Sequence, residues 1–342
     1  MTRNNLHSLS VAFPLGVMTS VTGVSGSGKS TLVSQVLVSL VAAQLGTRPP
    51  AEGAADAAAD EIEPPLDAGV EGHLEGDLDG VRRLVQVDQR PIGRTPRSNL
   101  ATYTGLFDEV RRLFAATKLA RARRYDAGRF SFNVAKGRCE VCEGEGWVMV
   151  ELLFLPSVYA PCSACKGARY SARTLEVRYR DRSIADVLGM TVDAARELFS
   201  DQPALRRPLE VLGEVGLGYL RLGQPATELS GGEAQRIKLA TELQRPRRAD
   251  TLYVLDEPTT GLHPADVERL MTQLRSLVGS GATVVVVEHD LRVIAGSDWV
   301  LDLGPGAGDD GGDLVFSGAP SELARSSKSR TAPYLARFLD DV

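Results

Sequence analysis

A glycine-rich segment near the start of the chain has a pattern that can hold phosphate. It fits G-x-x-x-x-G-K-[ST], and its candidate nucleotide-binding residues are Gly23, Ser25, Gly26, Gly28, Lys29, Ser30 and Thr31. The glycines let the backbone curl, so that successive N–H groups point at phosphate oxygens. We expect Lys29 to reach the β- and γ-phosphates and the Ser30 hydroxyl to bind Mg²⁺. Residues 17–22 predict the preceding strand, and residues 30–45 predict the following helix.

Two adjacent carboxylates follow another apolar run. Residues 252–255 read LYVL and are followed by Asp256 and Glu257. At the carboxyl end of a strand, Asp256 can hold Mg²⁺, and Glu257 can orient and deprotonate an attacking water. Beside a phosphate loop, this pair indicates hydrolysis of a nucleoside triphosphate.

A short motif opens a helix predicted over residues 233–244. It reads LSGGE, and its last four residues are Ser230, Gly231, Gly232 and Glu233. Here the sequence resembles the ATP-binding cassette family, and the resemblance implies that this signature acts on the γ-phosphate held by a partner cassette. A plain helix cap is the alternative, because Ser-Gly-Gly-Glu is also a capping box.

The same resemblance assigns three further elements in the expected order. It implies that Gln89, just after a predicted strand, is the Q-loop residue that senses Mg²⁺. Residues 259–263 match the D-loop, and His289 follows the apolar run at 283–287 as the switch histidine does. Together with Glu257, Gln89 and His289 are the candidate catalytic residues.

All four cysteines lie in two Cys-x2-Cys pairs, which are Cys139, Cys142, Cys162 and Cys165. A glycine follows two residues after each pair, at Gly144 and Gly167. Two such turns can offer four thiolates to a tetrahedral metal at about 2.3 Å, the geometry that zinc prefers. Disulfides are the alternative, although a cytosolic ATPase favours reduced thiols. Four thiolates close the coordination shell, so we expect one structural Zn²⁺.

Charge is segregated along the chain. The formal net charge is −5, yet residues 51–80 hold ten carboxylates and no Lys or Arg. Residues 111–138, here called the basic segment, hold nine Lys or Arg against one Asp. Such a segment is a candidate surface for a polyanion, and a solvated helix face is the plainer alternative.

Length and composition limit the class of protein. A chain of 342 residues exceeds the size at which one core stops growing, so we expect two or more folded units. The apolar share of 43% and the charged share of 24% are those of an ordinary globular protein. The sequence has no apolar run of about 18 residues and no signal-peptide pattern, so we expect no membrane span and a cytoplasmic location.

These elements predict an α/β fold, an ATP-binding cassette core in which helices flank a parallel sheet. Gln89 and Leu229 are 140 residues apart, so a long zinc-containing insertion must lie between the Q-loop and the signature. We expect three domains. Residues 1–90 form the first part of the core and contain a disordered acidic insertion at 46–80. Residues 91–227 form an insertion domain with the zinc module at about 137–170, and residues 228–342 form the second part of the core.

This arrangement closely resembles the second, C-terminal cassette half of the UvrA family, the damage-recognising subunit of the bacterial excinuclease. Besides the cysteine module, the matching stretches are VTGVSGSGKST (21–31), DQ (88–89), PIGRTPRSN (91–99), GRFSFNV (128–134) and LGQPAT (222–227). The resemblance implies an ATPase without nuclease activity of its own, using ATP, Mg²⁺ and Zn²⁺. It also implies double-stranded DNA as a partner, in nucleotide excision repair or a related drug self-resistance.

Contacts with DNA and with other chains follow from the same resemblance. The basic segment and the zinc module supply the candidate DNA contacts, which are Arg121, Arg123, Arg124, Arg129 and Lys136. A second cassette must complete the nucleotide site, either in a homodimer or in an N-terminal half. That half carries the docking region for a UvrB-type partner in the family.

The chain departs from the family pattern at several places. It has one cassette where a full-length member has two, Leu100 stands where the family usually has Pro, and Leu152, Leu153 and Ser157 replace the usual residues of the zinc hairpin. These changes favour a divergent paralogue or a separated half. Two other functions stay open: an ATPase subunit of a transporter or efflux system, and a zinc-binding adaptor with an inactive cassette.

Overall fold

The computed structural model describes residues 1–46, 72–76, 78, 80–152, 155–245 and 248–341, without the side chains of residues 151, 152 and 155–157. Most of the acidic insertion predicted at 46–80 therefore lies outside the described residues. Contacts divide the chain into two compact units: Met1–Gln89 with Arg245–Val342, called the core unit, and Arg90–Gln244, called the inserted unit. The second boundary thus falls at 245, whereas the domain division proposed from the sequence has it at 228.

The described chain alternates strands and helices. The strands are β1 (Met18–Gly23), β2 (Arg83–Val87), β3 (Trp147–Leu152), β4 (Leu155–Pro161), β5 (Thr251–Asp256), β6 (Thr283–Val287), β7 (Trp299–Gly304) and β8 (Asp313–Gly318). The α-helices are α1 (Val38–Gln44), α2 (Leu100–Tyr103), α3 (Leu106–Ala115), α4 (Lys118–Ala122), α5 (Ala172–Leu175), α6 (Ile184–Gly189), α7 (Val192–Leu198), α8 (Pro203–Glu214), α9 (Gly231–Leu243), α10 (Pro264–Gly279), α11 (Leu291–Ala295), α12 (Pro320–Leu323) and α13 (Ala332–Asp340).

The core unit is built on a six-stranded sheet with the strand order β2-β5-β6-β1-β7-β8. Neighbouring strands are parallel except β7 and β8, which are antiparallel. Every residue of β6 (TVVVV) is buried, as is typical of a central strand covered on both faces. The predicted α/β class and its strands at 17–22, 252–255 and 283–287 are confirmed to within a residue or two.

The parallel register places the carboxyl ends of five strands, β2, β5, β6, β1 and β7, at one edge of the sheet. Val21 of β1 pairs with Val287 of β6, and Asp256 of β5 pairs with the same residue of β6. β2 runs parallel to β5 and ends two residues before Gln89. Ligands of open parallel sheets bind outside these ends.

The inserted unit combines short helices with one antiparallel hairpin, β3–β4. An aromatic cluster fills its interior: Phe107 stacks on Phe132 with ring centroids 5.2 Å apart, and Phe114 packs on Phe130 at 5.6 Å. The buried Tyr170 hydroxyl donates to the Phe130 carbonyl at 2.8 Å. The signature helix α9 belongs to this unit and begins at Gly231, two residues before the predicted start, because Ser230 caps it.

Candidate nucleotide site and metal centre

The turn after β1 has the backbone that a phosphate loop needs. Gly23, Gly26 and Gly28 have φ angles of 134°, 78° and 100°, which residues with a side chain rarely adopt. A Cβ at Gly23 would lie 2.0 Å from the Leu303 carbonyl oxygen, so space as well as conformation requires glycine. The helix that follows starts with a π-helical stretch, Thr31–Leu37, and continues as α1.

Lys29 is folded into this loop. Its ammonium donates to the carbonyl oxygens of Gly23 at 3.0 Å and Val24 at 2.9 Å, and the residue is buried. Burial lowers the pKa of Lys29, and nearby carboxylates, Glu257 first among them, oppose that shift. The ammonium is therefore positioned at the loop by bonds that a phosphate oxygen can replace.

A second glycine-rich segment, which follows β7, braces the loop. The Gly308 N–H donates to the Gly26 carbonyl and the Gly312 N–H donates to the Ser27 carbonyl, both at 3.1 Å. The Asn5 amide donates to the carbonyls of Gly26 and Gly308 at 3.2 Å each. Asn5, Gly308 and Gly312 had no predicted role, although the repeated glycines at the end of a strand were a usable signal.

The predicted carboxylate pair ends β5. The Ser34 hydroxyl donates to Asp256 Oδ2 at 3.1 Å, while burial raises the pKa of Asp256 despite that bond. Glu257 has a φ of 47°, a left-handed conformation that costs energy for a residue with a side chain. Its N–H donates to the Val287 carbonyl at 2.9 Å, which holds the residue at the end of β6.

The switch candidate lies beside this pair. His289 Nδ1 is 3.9 Å from Glu257 Oε1, and both side chains are accessible to solvent. The sheet thus brings together Lys29, Asp256, Glu257 and His289. Gln89 is half-buried just past β2, at the same edge, and Ser30 is exposed at the start of the helix.

The signature residues form a complete helix cap. The Ser230 N–H and hydroxyl donate to Glu233 Oε2 at 2.7 and 2.9 Å, and the Glu233 N–H donates back to the hydroxyl at 3.3 Å. The Tyr219 hydroxyl donates to Glu233 Oε1 at 2.6 Å. Burial opposes ionisation of Glu233, but these bonds outweigh it and lower its pKa. Ser230 stays exposed, so the cap does not bury the residue predicted to face a partner cassette. Tyr219 is a contact that the sequence pattern did not reveal.

The four cysteines converge on one point. Their sulfur atoms all lie within 4.8 Å of one another, and those of Cys142 and Cys165 are 3.6 Å apart. All four are free thiols, and a disulfide would need about 2.05 Å. A tetrahedral zinc with bonds of about 2.3 Å has sulfur atoms about 3.8 Å apart, so the cluster fits that ion. The Gly146 N–H donates to the Cys142 sulfur at 3.3 Å, and the hydrogen bond from the Cys165 backbone lowers the pKa of Cys162 to about 7. Burial raises the pKa values of Cys142 and Cys165.

Arg169 joins the cysteine cluster to the segment that leads into the signature. Its carbonyl accepts from the Cys139 N–H at 2.9 Å, and its own backbone is hydrogen-bonded to the Cys165 sulfur. Its buried guanidinium donates to the carbonyls of Pro96 at 3.0 Å and Gly223 at 3.5 Å. Nothing in the sequence marked this arginine except its place four residues after the last cysteine.

Partners from outside the basic segment neutralise part of its charge. Arg123 forms an ion pair with Glu176 at 2.5 Å, and Arg138 pairs with Glu143 at 2.9 Å. The potential of the segment is therefore weaker than its sequence suggests.

The five candidate DNA contacts divide into two groups. Arg123 is in an ion pair with Glu176. Arg129 is half-buried: it donates to the Thr174 hydroxyl at 3.0 Å, and its guanidinium lies 4.5 Å from the centre of the Tyr125 ring. The other three are exposed and form no ion pair with a described residue; they are Arg121, Arg124 and Lys136.

Fold and site together define the class of protein as an ATP-binding cassette unit, with a phosphate loop, a strand-end carboxylate pair and a capped signature helix. A family profile described as "AAA domain, putative AbiEii toxin, Type IV TA system" matches residues 188–295. Among the described residues, no helix is long and apolar enough to cross a membrane.

More similar proteins specify the family. The chain is 53% identical over 98% of its length to "UvrABC system protein A" of Streptomyces avermitilis and 52% identical over 98% to that of Thermus thermophilus. It is 65% identical to the crystal structure of UvrA2 from Deinococcus radiodurans, with a TM-score of 0.88 over 98% of the chain. The chain therefore fits a cassette half of the UvrA family, as the sequence predicted.

The match covers only part of those proteins. The chain spans 32% and 33% of the two curated relatives and 38% of the UvrA2 chain. Its similarity thus concerns one cassette half, about a third of the relatives' length.

Proposed function

We propose that this chain binds and hydrolyses ATP and uses that cycle to control a DNA-binding surface, as a UvrA-type protein acting on damaged or ligand-bound DNA. The observation that carries the proposal is the convergence of Lys29, Asp256, Glu257 and His289 at one edge of the sheet. Identity above 50% to proteins named UvrABC system protein A supports the DNA role.

The residues divide the work of hydrolysis. The loop amides and Lys29 bind the phosphates, Ser30 and Asp256 supply the oxygens that would hold Mg²⁺, and that ion would offset phosphate charge. Glu257 would orient and deprotonate the attacking water, and His289, which lies 3.9 Å from it, would face the γ-phosphate. Gln89, two residues past β2, would sense Mg²⁺ when the ion is bound.

A second cassette completes the site. A signature acts on the γ-phosphate of a partner cassette, so two copies of this chain, or this chain and another half, must face each other. ATP would favour the closed pair, and hydrolysis would release it. A DNA-bound role of this kind would place the chain in the cytoplasm.

The higher identity to UvrA2, 65% against 53% and 52%, favours a divergent paralogue over the housekeeping repair protein. The transporter alternative is weaker, because the inserted unit provides a four-thiolate cluster and a basic surface. The intact Lys29, Asp256 and Glu257 argue against an adaptor with an inactive cassette.

Two substitutions test the nucleotide site. Lys29→Ala should abolish ATP binding, because the loop loses its cation. Glu257→Gln should keep ATP binding and reduce turnover by about 10²–10⁴, the usual effect of removing a positioned general base. Glu268→Gln, an exposed carboxylate on α10, is the control and should match the wild type. Wild-type turnover in Glu257→Gln would refute the assignment.

A further inference from the structure

Glu288 is a fully buried carboxylate that has no assigned role among the nucleotide-site residues described above. It is 0% exposed and stands directly after β6, between Val287 and His289. Burying a charge is costly unless several hydrogen bonds compensate it. A buried carboxylate of this kind therefore needs hydrogen-bond donors around it.

The Glu288 carboxylate accepts four hydrogen bonds. Its Oε1 accepts from the Thr259 N–H at 2.9 Å and from the Thr259 hydroxyl at 2.6 Å. Its Oε2 accepts from the N–H groups of His289 at 3.0 Å and Asp290 at 3.3 Å. An ionised carboxylate has about four acceptor positions, so all of its bonding capacity is used on these two segments.

The main chain of Glu288 is fixed as well. Its N–H donates to the carbonyl of Val21, which is two residues before the phosphate loop, at 3.0 Å. The preceding carbonyl, that of Val287, accepts from the Glu257 N–H at 2.9 Å. The backbone that carries the carboxylate is therefore anchored to β1, which leads into the phosphate loop, and to the candidate general base.

We propose that Glu288 is a positioning residue that couples the segment after Glu257, at Thr259, to the switch segment at His289, so that both keep one geometry during hydrolysis. This role rests on the proposed ATPase function. Glu288 acts through other residues and does not contact the reacting atoms. Its Oε1 binds the segment at Thr259 and its Oε2 binds the segment at His289. A displacement of Thr259 therefore shifts His289 and changes the 3.9 Å distance between His289 Nδ1 and Glu257 Oε1.

The side-chain chemistry makes the role testable. Gln has nearly the same size as Glu, but its NH₂ group would meet an N–H donor at one of the two segments. Glu288→Gln should therefore lower kcat by about 10²-fold, the effect of misplacing catalytic groups by about 1 Å, while the Kd for ATP stays within about twofold. Amide exchange should become at least about tenfold faster at the segment that meets the NH₂ group, because its amides lose their acceptor, and coupling should also speed exchange at the other of the two segments, 259 and 289–290.

Two further variants complete the experiment. Glu268→Gln removes the same charge from an exposed position in the core unit and should change neither kcat nor exchange. Thr259→Val removes only the hydroxyl donor, so it should lower kcat by about tenfold and still speed exchange at 289–290. The double variant Glu288→Gln/Thr259→Val should be no slower than Glu288→Gln alone, because both changes break one coupled unit.

The outcomes separate this inference from the ATPase proposal. Wild-type kcat in Glu288→Gln, or unchanged exchange at either segment, would overturn the coupling role. If the wild-type chain does not turn over ATP, the ATPase proposal fails, and exchange at 259 and 289–290 still decides whether Glu288 couples them. If Glu288→Gln does not fold, Thr259→Val decides, and unchanged exchange at 289–290 in that variant would overturn the proposal.

Discussion

In the core unit, Lys29, Asp256 and Glu257 follow the ends of buried parallel strands, whereas in the inserted unit the cysteines and arginines stand on turns and short helices. Sheet register alone brings the first group to one edge. The second group depends on partners that are distant in the sequence, such as Glu176 for Arg123, 53 residues later. A motif at a strand end therefore predicts geometry, and a charge run on turns does not.

The largest expected effect concerns metal removal, which should affect the two units differently. We expect one tightly held Zn²⁺ per chain, and structural zinc sites of this kind contribute about 10–16 kcal/mol. Chelation, or Cys139→Ser or Cys165→Ser, should unfold the zinc module and impair DNA binding while the core unit still binds ATP. Elemental analysis together with circular dichroism and a nucleotide-binding assay would measure this. Anaerobically purified protein without stoichiometric zinc would contradict it.

Substitutions of Arg169 test whether its hydrogen bonds hold the zinc module against the segment that leads into the signature. Arg169→Met should leave zinc content unchanged and destabilise the inserted unit by about 1–3 kcal/mol, because the buried Pro96 carbonyl and the half-buried Gly223 carbonyl lose their donor. Both bonds come from one nitrogen, Nη2, so an ammonium in the same place can keep them, and Arg169→Lys should restore part of the lost stability. Denaturant unfolding would show this, and wild-type stability in Arg169→Met would refute the tie between the two segments.

Two carboxylates should respond to pH in opposite directions. Burial raises the pKa of Asp256, so the folded chain binds that proton more readily and stability falls as pH rises through the raised pKa. Asp256→Asn should therefore raise the melting temperature at neutral pH, by about 2–4 °C for each kcal/mol regained, and the gain should vanish in acid. The same variant should lose Mg²⁺-dependent turnover.

Asp186 in the inserted unit is the matched counterpart. The Ser183 backbone and hydroxyl donate to it and lower its pKa, so its contribution to stability is present above the ordinary carboxyl pKa and is lost as pH falls. Asp186→Asn should lower the melting temperature at neutral pH and have no effect in acid. Melting curves of both variants from neutral pH down to about pH 2, below the ordinary carboxyl pKa, would measure this. Shifts of the same sign in the two variants at neutral pH would contradict the comparison.

The smallest expected effect concerns the exposed basic residues. Arg121→Gln, Arg124→Gln and Lys136→Gln together should flatten the slope of log K against log[salt] by about 2.7, if each residue neutralises one phosphate of double-stranded DNA. Zinc content and basal ATPase should not change. Arg206→Gln/Arg207→Gln on α8 is the control with exposed arginines from the same unit. An unchanged slope in the triple variant would mean that these residues are a solvated face only.

The nucleotide site could largely be predicted because local pattern and sheet geometry determine it. The strand before Gly23, the carboxylates after β5 and His289 after β6 all follow from apolar runs and their ends. The cysteine spacing predicted the cluster for a similar reason, since two tight turns leave little freedom.

Other parts depend on contacts that sequence spacing does not encode. Asn5 lies 303 residues from Gly308, and Arg169 lies 73 residues from Pro96, so neither bond could be anticipated. The ion pair between Arg123 and Glu176 could not be anticipated either. Counting Lys and Arg therefore overestimated the net charge of the basic segment.

ATP turnover measured with and without double-stranded DNA tests both parts of the proposal: that the strand-end site hydrolyses ATP and that the basic surface of the other unit is coupled to it. DNA should change the turnover rate of the wild-type chain. The change should be lost in the triple variant Arg121→Gln/Arg124→Gln/Lys136→Gln, whose basal rate should stay normal. Equal turnover with and without DNA in the wild-type chain would contradict the coupling.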